Sequence, residues 1–174
     1  MRQIFPIAAI FTFLSVPAVC QFGRPPFQTC TPSAPEVLSL SAEQVPSPPG
    51  TIALKIHLQN ISPKGQIVEI RDPQYLFAAR ILDPSGKPVA LTKKGQELYS
   101  PPQDNQVLFE SSVGSHELKP QEEVTFIWRV SDWFDVSKPG TYRVALKEDV
   151  GDPMVTVCST KISITMAPVT EPDK

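Results

Sequence analysis

At 174 residues the chain has room for one domain with a real core and not for two comfortable ones. With 41% hydrophobic and 20% charged residues it has an ordinary globular composition, and a net charge of −2 without basic runs gives no reason to expect nucleic acid. The 20 prolines, against 8 glycines, stand between the apolar runs rather than inside them, which punctuates strands and argues against long helices.

Residues 1–20 read as a signal peptide: Arg2 supplies the positive charge, Ile4 to Val16 the apolar stretch, and Val16-Pro17-Ala18 the small residues of a cleavage site. The apolar stretch is shorter than the roughly 20 residues that span a bilayer. The expected location is therefore outside the cytoplasm, in a periplasm or the medium. Residues 21–35 follow as a proline-rich linker, and residues 36–167 form the predicted domain. Residues 168–174 are a polar tail expected to be disordered.

Within the domain the apolar period is two. Val37 to Ser41 and Gln66 to Ile70 are short predicted strands, and between them Ile52, Leu54, Ile56 and Leu58 alternate with Ala53, Lys55, His57 and Gln59. Tyr75 to Leu82 is apolar on both parities and ends in the turn residues Asp83-Pro84-Ser85-Gly86. A long connection runs from Lys93 to Asn105, followed by a strand at Gln106 to Val113. Val124, Phe126, Trp128 and Val130 alternate again, as do Tyr142, Val144 and Leu146. The last strand carries a conflict of phase, with Val155 and Val157 on one parity and Ile162, Ile164 and Met166 on the other. One extra residue near Ser159-Thr160, a β-bulge, reconciles them. The alternative puts Cys158 inward with Ile162 and turns Val155 and Val157 outward.

Three cysteines, Cys20, Cys30 and Cys158, are an odd count for an exported chain. Cleavage after Cys20 leaves an even pair, and cleavage after Ala18 leaves all three. A third route lipidates Cys20, which would tether the protein to a membrane. The predicted disulfide is Cys30–Cys158, closing almost the whole domain and contributing about 4–5 kcal/mol on the chain-entropy model.

Such strands, with frequent turn signals, predict an all-β fold: an Ig-like antiparallel β-sandwich of about seven to nine strands. Tyr142, two residues after Gly140 at a strand start, is placed for a tyrosine corner. Asn60-Ile61-Ser62, Leu118-Lys119-Pro120-Gln121-Glu122 and Pro139-Gly140-Thr141-Tyr142-Arg143-Val144 resemble the turns of a group of uncharacterised exported bacterial Ig-like domains. Gln121 stands where that pattern has glycine. A weaker resemblance runs to BsuPI-type proteinase-inhibitor domains, which share the sandwich and the proline-glutamate turn.

Candidate chemistry is thin. His57 sits on the wet face of a strand and His116 in a loop, and no G-x-S-x-G elbow or zinc-ligand spacing is present. The acids Glu148, Asp149 and Asp152, and Asp132 with Asp135, lack the regular spacing of a calcium loop, so neither metal nor cofactor is expected. Trp133 and Phe134, flanked by acids, are either a plug for the end of the sandwich or candidate partner contacts. The expectation is a non-enzymatic interaction module whose partner is another exported or envelope protein. The alternative is an inhibitor of extracellular proteinases presenting Lys93 to Asn105.

Overall fold

Alternating apolar residues need a second apolar face, and the chain supplies it by folding one set of strands over another. The computed structural model describes residues 30–33, 37–99, 114–150 and 155–167. The signal peptide expected at residues 1–20, the expected linker up to residue 29, the strand expected at Gln106 to Val113 and the expected tail lie outside the described residues.

The strands are β1 (Leu38–Val45), β2 (Ala53–Asn60), β3 (Gln66–Ile70), β4 (Ala78–Leu82), β5 (Gly114–Leu118), β6 (Glu123–Arg129), β7 (Gly140–Val150), β8 (Val155–Cys158) and β9 (Ile162–Met166). One sheet runs β1-β2-β6, and a second places β7 between β4 on one side and β8 and β9 on the other. All ladders are antiparallel. This is an all-β Ig-like sandwich. Leu54, Ile56 and Leu58 of β2, Phe126 and Trp128 of β6, Val144 and Leu146 of β7 and Ile164 of β9 share one buried cluster. Each such side chain contributes roughly 1.5–3 kcal/mol on leaving water.

The pair β3-β5 continues the pair β2-β6. From Gln59 to Gln66 the chain advances seven residues, while from Glu123 back to Leu118 its partner covers five. The two extra residues are accommodated in the turn after Asn60, and the long ribbon jogs there.

The last two strands resolve the phase conflict as the bulge predicts. Cys158 pairs with Lys147 and Ile162 with Val144, so four steps on one strand face three on the other. The extra residue falls at Ser159–Lys161, where Ser159 N–H donates to Leu146 O at 2.9 Å and Ser159 Oγ accepts from Leu146 N–H at 2.8 Å. Val157, Ile164 and Met166 consequently all face the core. The alternative with Cys158 inward is overturned.

Two short helices depart from the sequence reading. Helix α1 (Pro73–Leu76) begins on a proline, which a first helical turn accepts because its N–H needs no partner there. It explains why Tyr75 to Leu82 is apolar on both parities: that stretch is a helical turn and then a strand. Helix α2 (Lys93–Tyr99) occupies the first part of the predicted long connection.

Cys30 and Cys158 are disulfide-bonded, with Cα atoms 5.9 Å apart and a separation of 128 positions in sequence. Closing a loop of that length contributes about 5 kcal/mol on the chain-entropy model. Cys30–Ser33 lies along β8, with Ser33 N–H donating to Thr156 O at 3.1 Å.

Candidate functional site

Trp133 and Phe134 follow a single 3-10 turn, Val130–Asp132, and both are buried, Trp133 at 8% exposure. Phe134 meets Trp128 edge to face, with ring centroids 6.2 Å apart. Helix α2 covers Trp133. Thr92 caps the helix, its Oγ1 accepting from Gly95 N–H at 3.1 Å and donating to Asp132 O at 2.7 Å, while Thr92 N–H donates to Trp133 O at 3.0 Å. Lys94 Nζ stands 4.4 Å from the centre of the Trp133 ring and 3.8 Å from Asp132 Oδ2. Of the two readings of Trp133 and Phe134, this burial favours the plug: their area is spent within the fold. The helix responsible is short and leaves no trace in a period-two pattern.

Tyr142 makes the tyrosine corner. Its hydroxyl donates to Lys138 O at 2.7 Å and accepts from Lys138 N–H at 3.0 Å. Burial pushes the phenol above the ordinary tyrosine range, with the hydrogen bond to Lys138 opposing in part.

Asn60 continues the inward parity of Leu54, Ile56 and Leu58 and is fully buried, at 0% exposure. A buried carboxamide must place two donors and two acceptor sites. Here Nδ2 donates to Lys64 O at 2.7 Å and Leu118 O at 2.8 Å, and Oδ1 accepts from Ser62 N–H at 3.0 Å and Ser62 Oγ at 2.7 Å. The Asn-x-Ser triplet is the clamp that holds the jog of the long ribbon, and its side chain is closed to modification in the folded state. The turn opposite is equally specific. Lys119 O accepts from Glu122 N–H at 3.0 Å, and Gln121 takes φ of 66°, the left-handed conformation for which similar turns use glycine. Glu122 Oε2 accepts from Lys119 N–H at 2.8 Å, which lowers its carboxyl below the usual range.

Among the described residues neither histidine meets a nucleophile. His57 stands on the outer face of β2 with Nδ1 2.8 Å from Glu123 Oε1 and Nε2 3.5 Å from Glu43 Oε1. His116 belongs to β5, opposite Val68, rather than to a loop, and lies 3.3 Å from Glu122 Oε1. Glu148 and Asp149 belong to β7 rather than to an acidic loop, and Asp152 lies outside the described residues. Asp149 accepts from Thr156 Oγ1 at 2.8 Å and pairs with Lys147 at 3.2 Å. Among the described residues no three His, Cys, Asp or Glu side chains converge on a metal position. A cleft of about 600 Å³ between the 46–51 loop and the end of β9 is lined by proline, small polar and apolar residues, without an acid or a base.

Two outer faces remain. Ile127 is 61% exposed on β6, opposite Lys55. Ile67 is 67% exposed on β3, opposite Glu117. In the β3-β5 ribbon Val68 and Leu118 face the core, while Ile67, Glu69, Ser115 and Glu117 face solvent. Among the described residues β3 and β5 pair only with each other. No helix among the described residues is long and apolar enough to cross a membrane.

No protein-family model matches the chain. No curated protein matches it either. Eight chains of solved structures match. One is a Bacteroides uniformis beta-glucuronidase, matched over 76% of this chain and 13% of that one, at 16% identity and a TM-score of 0.35. The chain spans about 13% of that enzyme's length.

Proposed function

We propose that this chain is an exported, non-enzymatic Ig-like domain that acts as a protein-interaction module, with another exported or envelope protein as its partner. The observation that carries the reading is the β3-β5 ribbon, a two-stranded element with Ile67 two-thirds exposed at 67%. An open apolar side chain beside strand edges that pair with nothing else among the described residues suits strand addition by a partner segment. Main-chain hydrogen bonds would give affinity, and Ile67 a contact for selectivity. The Cys30–Cys158 bridge suits an oxidising compartment, which agrees with the signal-peptide features of residues 1–20.

The test places a photo-crosslinking residue at position 67, at position 127 and at the turn residue Lys87, in the full chain expressed in its native host. A defined crosslinked species from position 67 and none from Lys87 supports the reading. Equal labelling at all three positions, or none, defeats it. The intact mass from the same host tests export: a chain that begins at Val19, Cys20 or Gln21 supports it, and an intact Met1 terminus contradicts it.

A further inference from the structure

The outer edge of the β8-β9 side is closed by two devices that are not strands. On β9, the Gln44 carboxamide imitates a neighbouring backbone: its Oε1 accepts from Thr165 N–H at 2.8 Å and its Nε2 donates to Thr165 O at 2.9 Å. On β8, the segment Cys30–Ser33 lies as a strap. Ser33 N–H donates to Thr156 O at 3.1 Å, and Ser33 Oγ accepts from Thr156 N–H at 2.7 Å.

The strap has little else to hold it. Thr31, Pro32 and Ser33 are exposed, so no apolar burial fixes them. Two hydrogen bonds, together on the order of tenfold to a hundredfold in equilibrium terms, do not offset the ordering of four backbone residues at roughly tenfold each. The bridge to Cys158 supplies the difference. Both cysteines are only half-buried, so the bridge sits at the surface and not inside the core.

We propose that Cys30–Ser33 is a redox-releasable strap: reduction of the Cys30–Cys158 bridge frees it and bares the outer edge of β8, while the sandwich stays folded. The reductant is a dithiol. One of its thiolates attacks a bridge sulfur, the Cys30–Cys158 bond breaks, and the displaced sulfur takes a proton. The reagent's second thiol then resolves the mixed disulfide, leaving the reagent oxidised and both cysteines as thiols. Release of the strap does not depend on whether Ile67 meets a partner.

The experiment is residue-resolved amide exchange on the full chain, oxidised and after treatment with dithiothreitol. Thr156 N–H exchanges at least about tenfold faster after reduction, because its acceptor Ser33 Oγ leaves, while the Ile56 and Val144 amides keep their protection. Unchanged protection at Thr156 overturns the proposal, since the strap then holds without the bridge. Loss of protection at Ile56 and Val144 together with Thr156 also overturns it, since the bridge then supports the whole fold. Ser33→Ala, with the bridge intact, tests the contact itself. It speeds exchange at Thr156 alone by about tenfold, and an unaffected Thr156 amide refutes the strap.

Discussion

Asn60→Asp changes one nitrogen to oxygen at the centre of the ribbon jog. The two acceptors that Nδ2 now serves, Lys64 O at 2.7 Å and Leu118 O at 2.8 Å, would face a carboxylate oxygen that cannot donate. Lys64 O keeps a donor in Ser62 Oγ at 2.9 Å, so Leu118 O is the acceptor left short, and the variant loses about 1–3 kcal/mol of a stability of about 5–15 kcal/mol. Protonation restores one donor, and burial favours the neutral acid, so the introduced carboxyl has a folded-state pKa above its unfolded value. The penalty is therefore smallest below the unfolded value and grows as pH rises from there to the folded one. Urea unfolding of wild type and variant at about pH 4 and about pH 8 measures both parts. A loss below about 1 kcal/mol at the higher pH, or a penalty that shrinks as pH rises, would refute the four-bond account of Asn60.

Gly95→Ala should invert the usual helix preference. Alanine ordinarily gains about 1 kcal/mol over glycine in a helix, but here its Cβ would collide with Trp133 O and lie 3.1 Å from Trp133 C and 3.3 Å from Leu91 Cβ. A net loss of about 1–3 kcal/mol is expected, with Trp133 fluorescence shifting red as α2 lifts; a gain in melting temperature would remove the docking argument. Gln121→Gly relieves a left-handed φ of 66° and should stabilise by about 0.5–1 kcal/mol, read as a higher urea midpoint at unchanged slope. Tyr142→Phe deletes both bonds to Lys138 and should cost about 1–2 kcal/mol near neutral pH. Because burial raises the folded phenol's pKa, its contribution is complete below the unfolded value and fades as pH rises through the folded one. The gap between wild type and Tyr142→Phe therefore narrows above about pH 10, and a gap that widens there contradicts the assignment.

Much of the sandwich is legible in the sequence because strand burial leaves a local trace. The run Ile52 to Leu58 shows which face is inward, and the clash of parity between Val157 and Ile162 locates the bulge without knowledge of any partner strand. The burial of Asn60 follows from the same rule once β2 is known to end there: it holds core parity, and a polar residue at such a position must find internal partners. What escapes is set by contact rather than by period. Helix α2 is seven residues long, and its cap is recognisable only once Thr92 Oγ1 meets Gly95 N–H and Asp132 O. Without that helix Trp133 reads as an anchor for something else.

The closed edge of β8 and β9 shows the same division on a larger scale. Gln44 and Thr165 are 121 residues apart, and Ser33 and Thr156 are 123. Neither pair has a local signature, since an exposed glutamine on a strand and a serine in a proline-rich arm are ordinary surface residues. Each nevertheless satisfies backbone groups that an edge strand would otherwise offer to any extended chain. The β3-β5 ribbon has no comparable cover among the described residues, and it carries Ile67 in the open. Under the interaction reading, Ile67 on β3-β5 is the surface offered to a partner, and access to β8 is conditional on the state of the Cys30–Cys158 bridge.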